Sequence, residues 1–236
     1  MRAVILAGGR GTRLRPYTTV FPKPLMPIGD VPILDVVLRQ LVVSGFSDIT
    51  LSVGYLAELI RAYCGDGTRY GVALRYLHED QPLGTVGPMG LLEDFREPVL
   101  LVNGDILTDL SFVKLYEYHV QNRGLLTVAL HRRQVQINFG VIDRMEGNEI
   151  RRYVEKPVME HLVGMGICVL EPAVAPFIPR GQRLDLPDLV TALIASGEKV
   201  VGWETEAYWL DIGRPDDYER AQTEFAERRE RFGWKA

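Results

Sequence analysis

The chain has 236 residues, 47% of them apolar, two cysteines and a formal net charge of −4. That length and apolar content suffice for one large hydrophobic core; the weakly acidic balance excludes a dense basic surface for nucleic acid, and no apolar run approaches the ~18 residues of a membrane span. Cys64 and Cys168 lie far apart with no C-x-x-C, so both read as small buried residues, and without a leader-like apolar stretch at the start the cytoplasm is the expected compartment.

In chain order, an apolar strand over 3–6 runs into Ala7-Gly8-Gly9-Arg10-Gly11-Thr12-Arg13, with Pro22-Lys23-Pro24 close behind. Three glycines within four residues let backbone amides close around an anion with no Cβ in the way. Arg13 and Lys23 add the positive charge that a triphosphate requires. The segment reads as a nucleoside triphosphate cradle. It is not a Walker loop, since no Gly-Lys-Ser/Thr follows Gly8, and the dinucleotide fingerprint fails where its third glycine is Leu14.

The apolar spacing of 33–43, after Asp30 and Pro32 and before Gly45, predicts a helix. Strands are expected at 49–53, 72–77 and 99–102, with helices at about 55–63 and 86–94 between them. This alternation predicts an α/β fold: a Rossmann-like, mixed and mainly parallel sheet with helices on both faces. Asn103-Gly104-Asp105 then falls at the carboxyl end of a strand, where open α/β sheets bind ligands, although these residue types also make ordinary turns. From residue 125 closely spaced strands at 126–130, 140–142, 150–154 and 166–170 suggest a smaller antiparallel elaboration. A charged helix at 215–231 reads as a solvated face. His78, His119, His131 and His161 lack metal spacing and read as surface or turn residues. No linker or repeat divides the chain, so a single domain is expected over 1–236, its nucleotide-binding half at about 1–124 and a substrate-binding half with the C-terminal helix at about 125–236.

Residues 6–27 carry L-A-G-G-x-G-T-R-L-x-P-x-T and then P-K-P-L-x-P. Pro82-Leu83-Gly84-Thr85, Asn103-Gly104-Asp105, Phe139-Gly140-Val141, Val154-Glu155-Lys156-Pro157 and Trp209-Leu210-Asp211-Ile212-Gly213 follow in order. On these motifs the chain resembles the sugar-1-phosphate nucleotidyltransferases over nearly its whole length, most of all the short mannose- or heptose-1-phosphate guanylyltransferases. The resemblance implies attack by a sugar-1-phosphate oxygen on the α-phosphorus of a nucleoside triphosphate, with Mg²⁺, giving a nucleotide sugar and pyrophosphate. It implies nucleotide contacts at Leu6, Ala7, Gly8, Gly9, Gly11, Thr12, Arg13, Glu79, Gly84, Thr85, Asn103 and Gly104. Arg13 and Lys23 become the catalytic cations, Asp105 and Asp211 the metal ligands, and Gly140, Glu155, Lys156 and Gly166 the sugar-phosphate contacts. Arg10 and Arg15 read as rim or structural residues, and Asp109, Asp216 and Asp217 compete weakly for the metal.

Glu79 stands where pyrimidine-using relatives often carry Gln. An ionised carboxylate only accepts hydrogen bonds, which matches the paired donors of the guanine edge and favours GTP; Asp80 and Gln81 compete for that position. Relatives usually carry Asn a couple of residues before the glycine equivalent to Gly166, whereas this chain has Gly164-Met165-Gly166, which opens the site to a sugar other than ordinary mannose, such as a heptose or modified sugar. Uridylyl, thymidylyl or cytidylyl transfer is the nearest rival. A catalytically silent regulatory subunit that binds nucleotide sugar is the rival of another class, but Arg13, Lys23, Asp105 and Asp211 are all present. Longer members append a β-helix of hexapeptide repeats; with the sequence ending at Ala236, transfer without acylation is expected. Members also form dimers or tetramers, so a homo-oligomer is compatible.

Overall fold

The computed structural model describes residues 1–234. Its first strand, β1 (Arg2–Leu6), is an unbroken apolar run after Arg2 and is buried on both faces, as a central parallel strand must be. Two-residue arms β2 (Pro27–Ile28) and β3 (Val31–Pro32) form a small hairpin that leads into α1 (Ile33–Val43). Leu34, Val37, Leu38 and Leu41 of α1 lie on one face at helical spacing and are wholly buried. Next come β4 (Asp48–Val53), α2 (Ala57–Cys64), β5 (Ala73–His78), β6 (Val99–Asn103) and β7 (Ile106–Thr108).

The second half contributes α3 (Phe112–Asn122), β8 (Leu126–Gln136), β9 (Val141–Arg144), β10 (Ile150–Val154) and β11 (Val158–Leu170). It ends with α4 (Leu186–Ala195), β12 (Val200–Thr205), β13 (Trp209–Asp211) and α5 (Pro215–Glu227). Seven strands form one sheet in the order β12-β8-β11-β6-β1-β4-β5, in which only β11 runs against its neighbours. The fold is therefore the mixed, mainly parallel α/β sheet that the alternation predicts. The expected antiparallel elaboration is the β9–β10 hairpin and the outer ends of β8 and β11, paired from Val158↔Gln136 to Gly164↔Leu130.

Helices cover both faces. On one, the α1 stripe packs on Ala3, Ile5, Ile49 and Leu51; on the other, Leu189 and Leu193 of α4 pack on Val4, Leu101 and Leu170. Leu38→Ala opens a void that this packed layer cannot refill and is expected to cost about 2–5 kcal/mol. Urea denaturation checks it as a lower midpoint with an unchanged slope.

Several expectations need correction. The helix expected at 86–94 is only a 3-10 turn, Gly87–Leu91, because Gly87, Pro88 and Gly90 deny it helical backbone. The final helix stops at Glu227 and gives way to a 3-10 turn, Arg229–Phe232. This region is more than a solvated face: Phe225 and Phe232 are buried, and Arg231 donates to Asp109. His119 is not a surface residue. It is fully buried between the Thr127 hydroxyl (2.8 Å) and Glu171 (3.2 Å), and burial pushes its pKa down. Cys64 and Cys168 are free and buried, as expected. Among the described residues no helix is long and apolar enough to cross a membrane.

Candidate active site

The carboxyl ends of β1 and β6 open into a cleft of about 250 Å³. It gathers Leu6, Ala7, Gly8, Gly9, Lys23, Glu79, Gly84, Thr85, Asn103 and Asp105, that is, residues of four separate motifs together with Glu79. Gly8 is held to glycine by crowding: a Cβ there would stand 2.7 Å from Glu79 Oε1 and 3.2 Å from the Gly54 nitrogen. Glu79 itself is fixed, its Oε1 accepting from the Ser52 hydroxyl (2.7 Å) and its Oε2 from the Leu83 N–H (3.0 Å). A carboxylate has about four acceptor sites, so capacity remains on both oxygens. Asp80 is almost fully exposed, and Asp80 and Gln81 border a neighbouring hollow rather than this cleft.

The loop turns out of the cleft at Gly11, whose φ of 57° favours glycine and whose Cα packs on Thr18 and Lys23. Thr12 and Arg13 follow in a 3-10 turn, Thr12–Leu14. Arg13 therefore lies beside Gly213 and Asp211, bordering a second cleft, not the first. Gly104 also stands back from the first cleft; its N–H donates to the Leu6 carbonyl (2.9 Å) and ties the two strand ends together.

Lys23 is 7% exposed between Pro22 and Pro24, and its ammonium is paired with Asp105 Oδ2. The other oxygen of that carboxylate, Asp105 Oδ1, is buried without a hydrogen-bond partner. Asp211 is brought alongside by the antiparallel pairing of β7 with β13, which sets Asp211 opposite Ile106 and lets the Ile212 N–H donate to the Asp105 carbonyl (3.1 Å). Burial, then the nearby charge of Asp105, pushes the Asp211 carboxyl above the usual carboxylate range, against Lys23 and Arg13, which pull it down. An orphaned buried carboxylate oxygen beside a second, strained carboxylate is a donor set that suits a hard divalent cation, which needs only one or two carboxylates besides phosphate and water. No group of three or more acidic, His or Cys ligands exists among the described residues. Asp109 and Asp217 are otherwise engaged: Asp109 accepts from the Tyr208 N–H (2.7 Å), and Asp217 from the Arg214 N–H (3.0 Å) at the start of α5.

The residues expected at the sugar divide into two groups. Gly166 lies in β11 against the Asn103 amide and shares with Leu6, Thr85 and Pro187 an apolar pocket of about 150 Å³. Gly140, Glu155 and Lys156 sit instead on the β9–β10 hairpin and its link to β11, where Glu155 and Lys156 are exposed. The Tyr153 hydroxyl lies over Gly140 and donates to Glu155 Oε2 (3.4 Å).

Asp185 is a site residue that sequence reasoning missed. Its Oδ1 accepts from the Thr85 N–H (3.0 Å), while the Thr85 hydroxyl accepts from the Leu186 N–H (2.7 Å), so the start of α4 clamps the Gly84-Thr85 loop. Burial works to raise the Asp185 pKa, yet Arg183 and the Thr85 amide hold it below the ordinary value. Its signal was present as Asp-Leu-Pro, an acidic N-cap followed by proline in the first turn.

A family model described as nucleotidyl transferase matches residues 2–228. A mannose-1-phosphate guanyltransferase of Yarrowia lipolytica is 33% identical over 226 residues, covering 92% of this chain and 62% of that protein. A UTP–glucose-1-phosphate uridylyltransferase of Synechocystis sp. is 32% identical over 241 residues, covering 94% of this chain and 62% of that protein. The chain thus spans somewhat under two thirds of these relatives' length. Among solved structures, HddC from Yersinia pseudotuberculosis aligns with a TM-score of 0.73 at 25% identity, over 95% of this chain and 99% of that one. With the glycine loop, Lys23 and the paired aspartates joined at the ends of a mainly parallel sheet, and with that family pattern running from residue 2 to residue 228, the chain belongs to the nucleotidyl transferase family.

Proposed function

We propose that this chain transfers a guanylyl group from GTP to a mannose- or heptose-type sugar-1-phosphate, releasing pyrophosphate. The observation that carries the reading is the Lys23–Asp105–Asp211 cluster beside a cleft lined by Gly8 and Gly9. The Gly8-Gly9 backbone receives phosphate oxygens, and the planar fork of Arg13 holds the β and γ phosphates. Lys23 offsets charge where the α-phosphate meets the sugar phosphate. Asp105 and Asp211 would hold Mg²⁺, which when bound neutralises charge shared by the two phosphates. The attacking sugar phosphate is already anionic near pH 7, so no general base is needed and the protein supplies alignment and charge stabilisation. Glu155 and Lys156 reach the sugar hydroxyls and its phosphate from the hairpin.

Guanine is favoured because Glu79 presents acceptors on both oxygens across the Gly8 backbone. The relative that uses UTP supports uridylyl transfer as the second reading. Pyrophosphate release with Mg²⁺ across GTP, UTP, CTP, dTTP and ATP against mannose-, glucose-, N-acetylglucosamine- and heptose-1-phosphates tests both. GTP with mannose- or heptose-1-phosphate is expected to give the highest kcat/KM. A pyrimidine triphosphate in that place refutes the role given to Glu79, and silence of the whole matrix favours a nucleotide-sugar-binding regulatory subunit.

A further inference from the structure

We infer that the departing pyrophosphate is received in the second, arginine-lined cleft, with Arg133 and Arg214 as binding residues; this rests on the transfer reaction proposed above. The cleft is about 560 Å³ and takes Arg13 and Asp211 into its wall, so it continues directly from the reacting groups. Five guanidinium groups line it, Arg13, Arg132, Arg133, Arg214 and Arg220, against the two carboxylates of Asp211 and Asp217. Arg132 is committed to Glu160 and Glu204, and Arg220 lies 3.8 Å from Glu224. Among the described residues Arg13, Arg133 and Arg214 have no carboxylate within ion-pair distance.

Like charges gathered around one hollow repel one another unless an anion joins them, and the same field concentrates anions there. Trp209 lines the same cleft, and its indole Nε1, which can only donate, is buried without an acceptor. The transfer forms a bond from the sugar-phosphate oxygen to the α-phosphorus and breaks the bond to the α–β bridging oxygen. The electron pair leaves on that oxygen, and no proton moves. Pyrophosphate thus gains negative charge at the moment it departs, and planar guanidinium forks match its oxygens in pairs. The surplus of arginine over aspartate meets that charge. The exposed Glu155 and Lys156 serve the sugar from a different element.

Pyrophosphorolysis by the full chain, run on GDP-mannose and pyrophosphate with Mg²⁺, tests the assignment. R133Q and R214Q are each expected to raise KM for pyrophosphate about tenfold, the loss of one charged hydrogen bond, while KM for the nucleotide sugar stays within about twofold. Both side chains are exposed, so their truncation spares the core. An unchanged KM for pyrophosphate, or a rise confined to the nucleotide sugar, overturns the assignment. If the wild type does not turn over GDP-mannose and is silent in the forward matrix as well, the transfer reading fails. Calorimetric titration with pyrophosphate then separates the two claims: about tenfold weaker binding to both variants supports the cleft, and equal binding overturns it.

Discussion

Asp211→Asn is expected to lower nucleotidyl transfer by about a hundredfold or more, as loss of a group that organises transition-state charge does. In metal-free protein at neutral pH it is also expected to raise the Tm. The carboxyl is held above its ordinary pKa by burial and by Asp105, so the folded state keeps the Asp211 proton to higher pH than the unfolded chain does. A group shifted in that direction contributes stability at low pH and loses it as pH rises through the folded pKa. At pH 7 the wild type therefore carries an unfavourable charge that asparagine removes. Below the unfolded carboxylate pKa both proteins are neutral at this position and their Tm values should converge. Thermal melts from pH 3 to pH 8 in EDTA check the pattern. A variant that melts below the wild type at pH 7 would show that Asp211 is held for structure.

Lys23→Ala has the second large effect, and its two readouts separate catalysis from folding. Activity should again fall about a hundredfold or more. Stability without metal should fall by about 3–5 kcal/mol, because removing one partner of a buried pair strands the other charge. Lys23 is nearly inaccessible and Asp105 already has one orphaned oxygen, so the carboxylate has nowhere else to turn. Added Mg²⁺ should close part of the Tm gap between variant and wild type, since the cation takes the place of the ammonium. A gap that Mg²⁺ leaves untouched would count against Asp105 as a metal ligand.

The sequence was most legible where burial is simple. The helix expected at 33–43 coincides with α1, because its apolar residues fall on one stripe between clear stop signals. The strands β1 and β6 were legible as unbroken apolar runs and β4 as an alternation of Ile49, Leu51 and Val53 with Thr50 and Ser52. Helix α3 was hidden because its buried face reads Phe112, Leu115 and His119, with a histidine where an apolar residue would complete the stripe. The strong likeness of the glycine loop drew Arg13 into the first cleft; the left-handed turn at Gly11 carries it instead to Gly213 and Asp211. No local pattern could bring Asp105 to Asp211, since a pairing between short strands distant in sequence does so. Arg133 lies on the exposed outer end of β8, beyond the apolar run that marks the strand, and nothing in its neighbours distinguishes it from a solvated charge.

The most direct measurement is pyrophosphate release from GTP by the full chain in a single turnover, with and without mannose- or heptose-1-phosphate and with Mg²⁺ or EDTA. Direct displacement requires both substrates and the metal, so one pyrophosphate per nucleotide sugar should appear in that combination alone. Release from GTP without the sugar phosphate, or release undiminished in EDTA, would contradict the account.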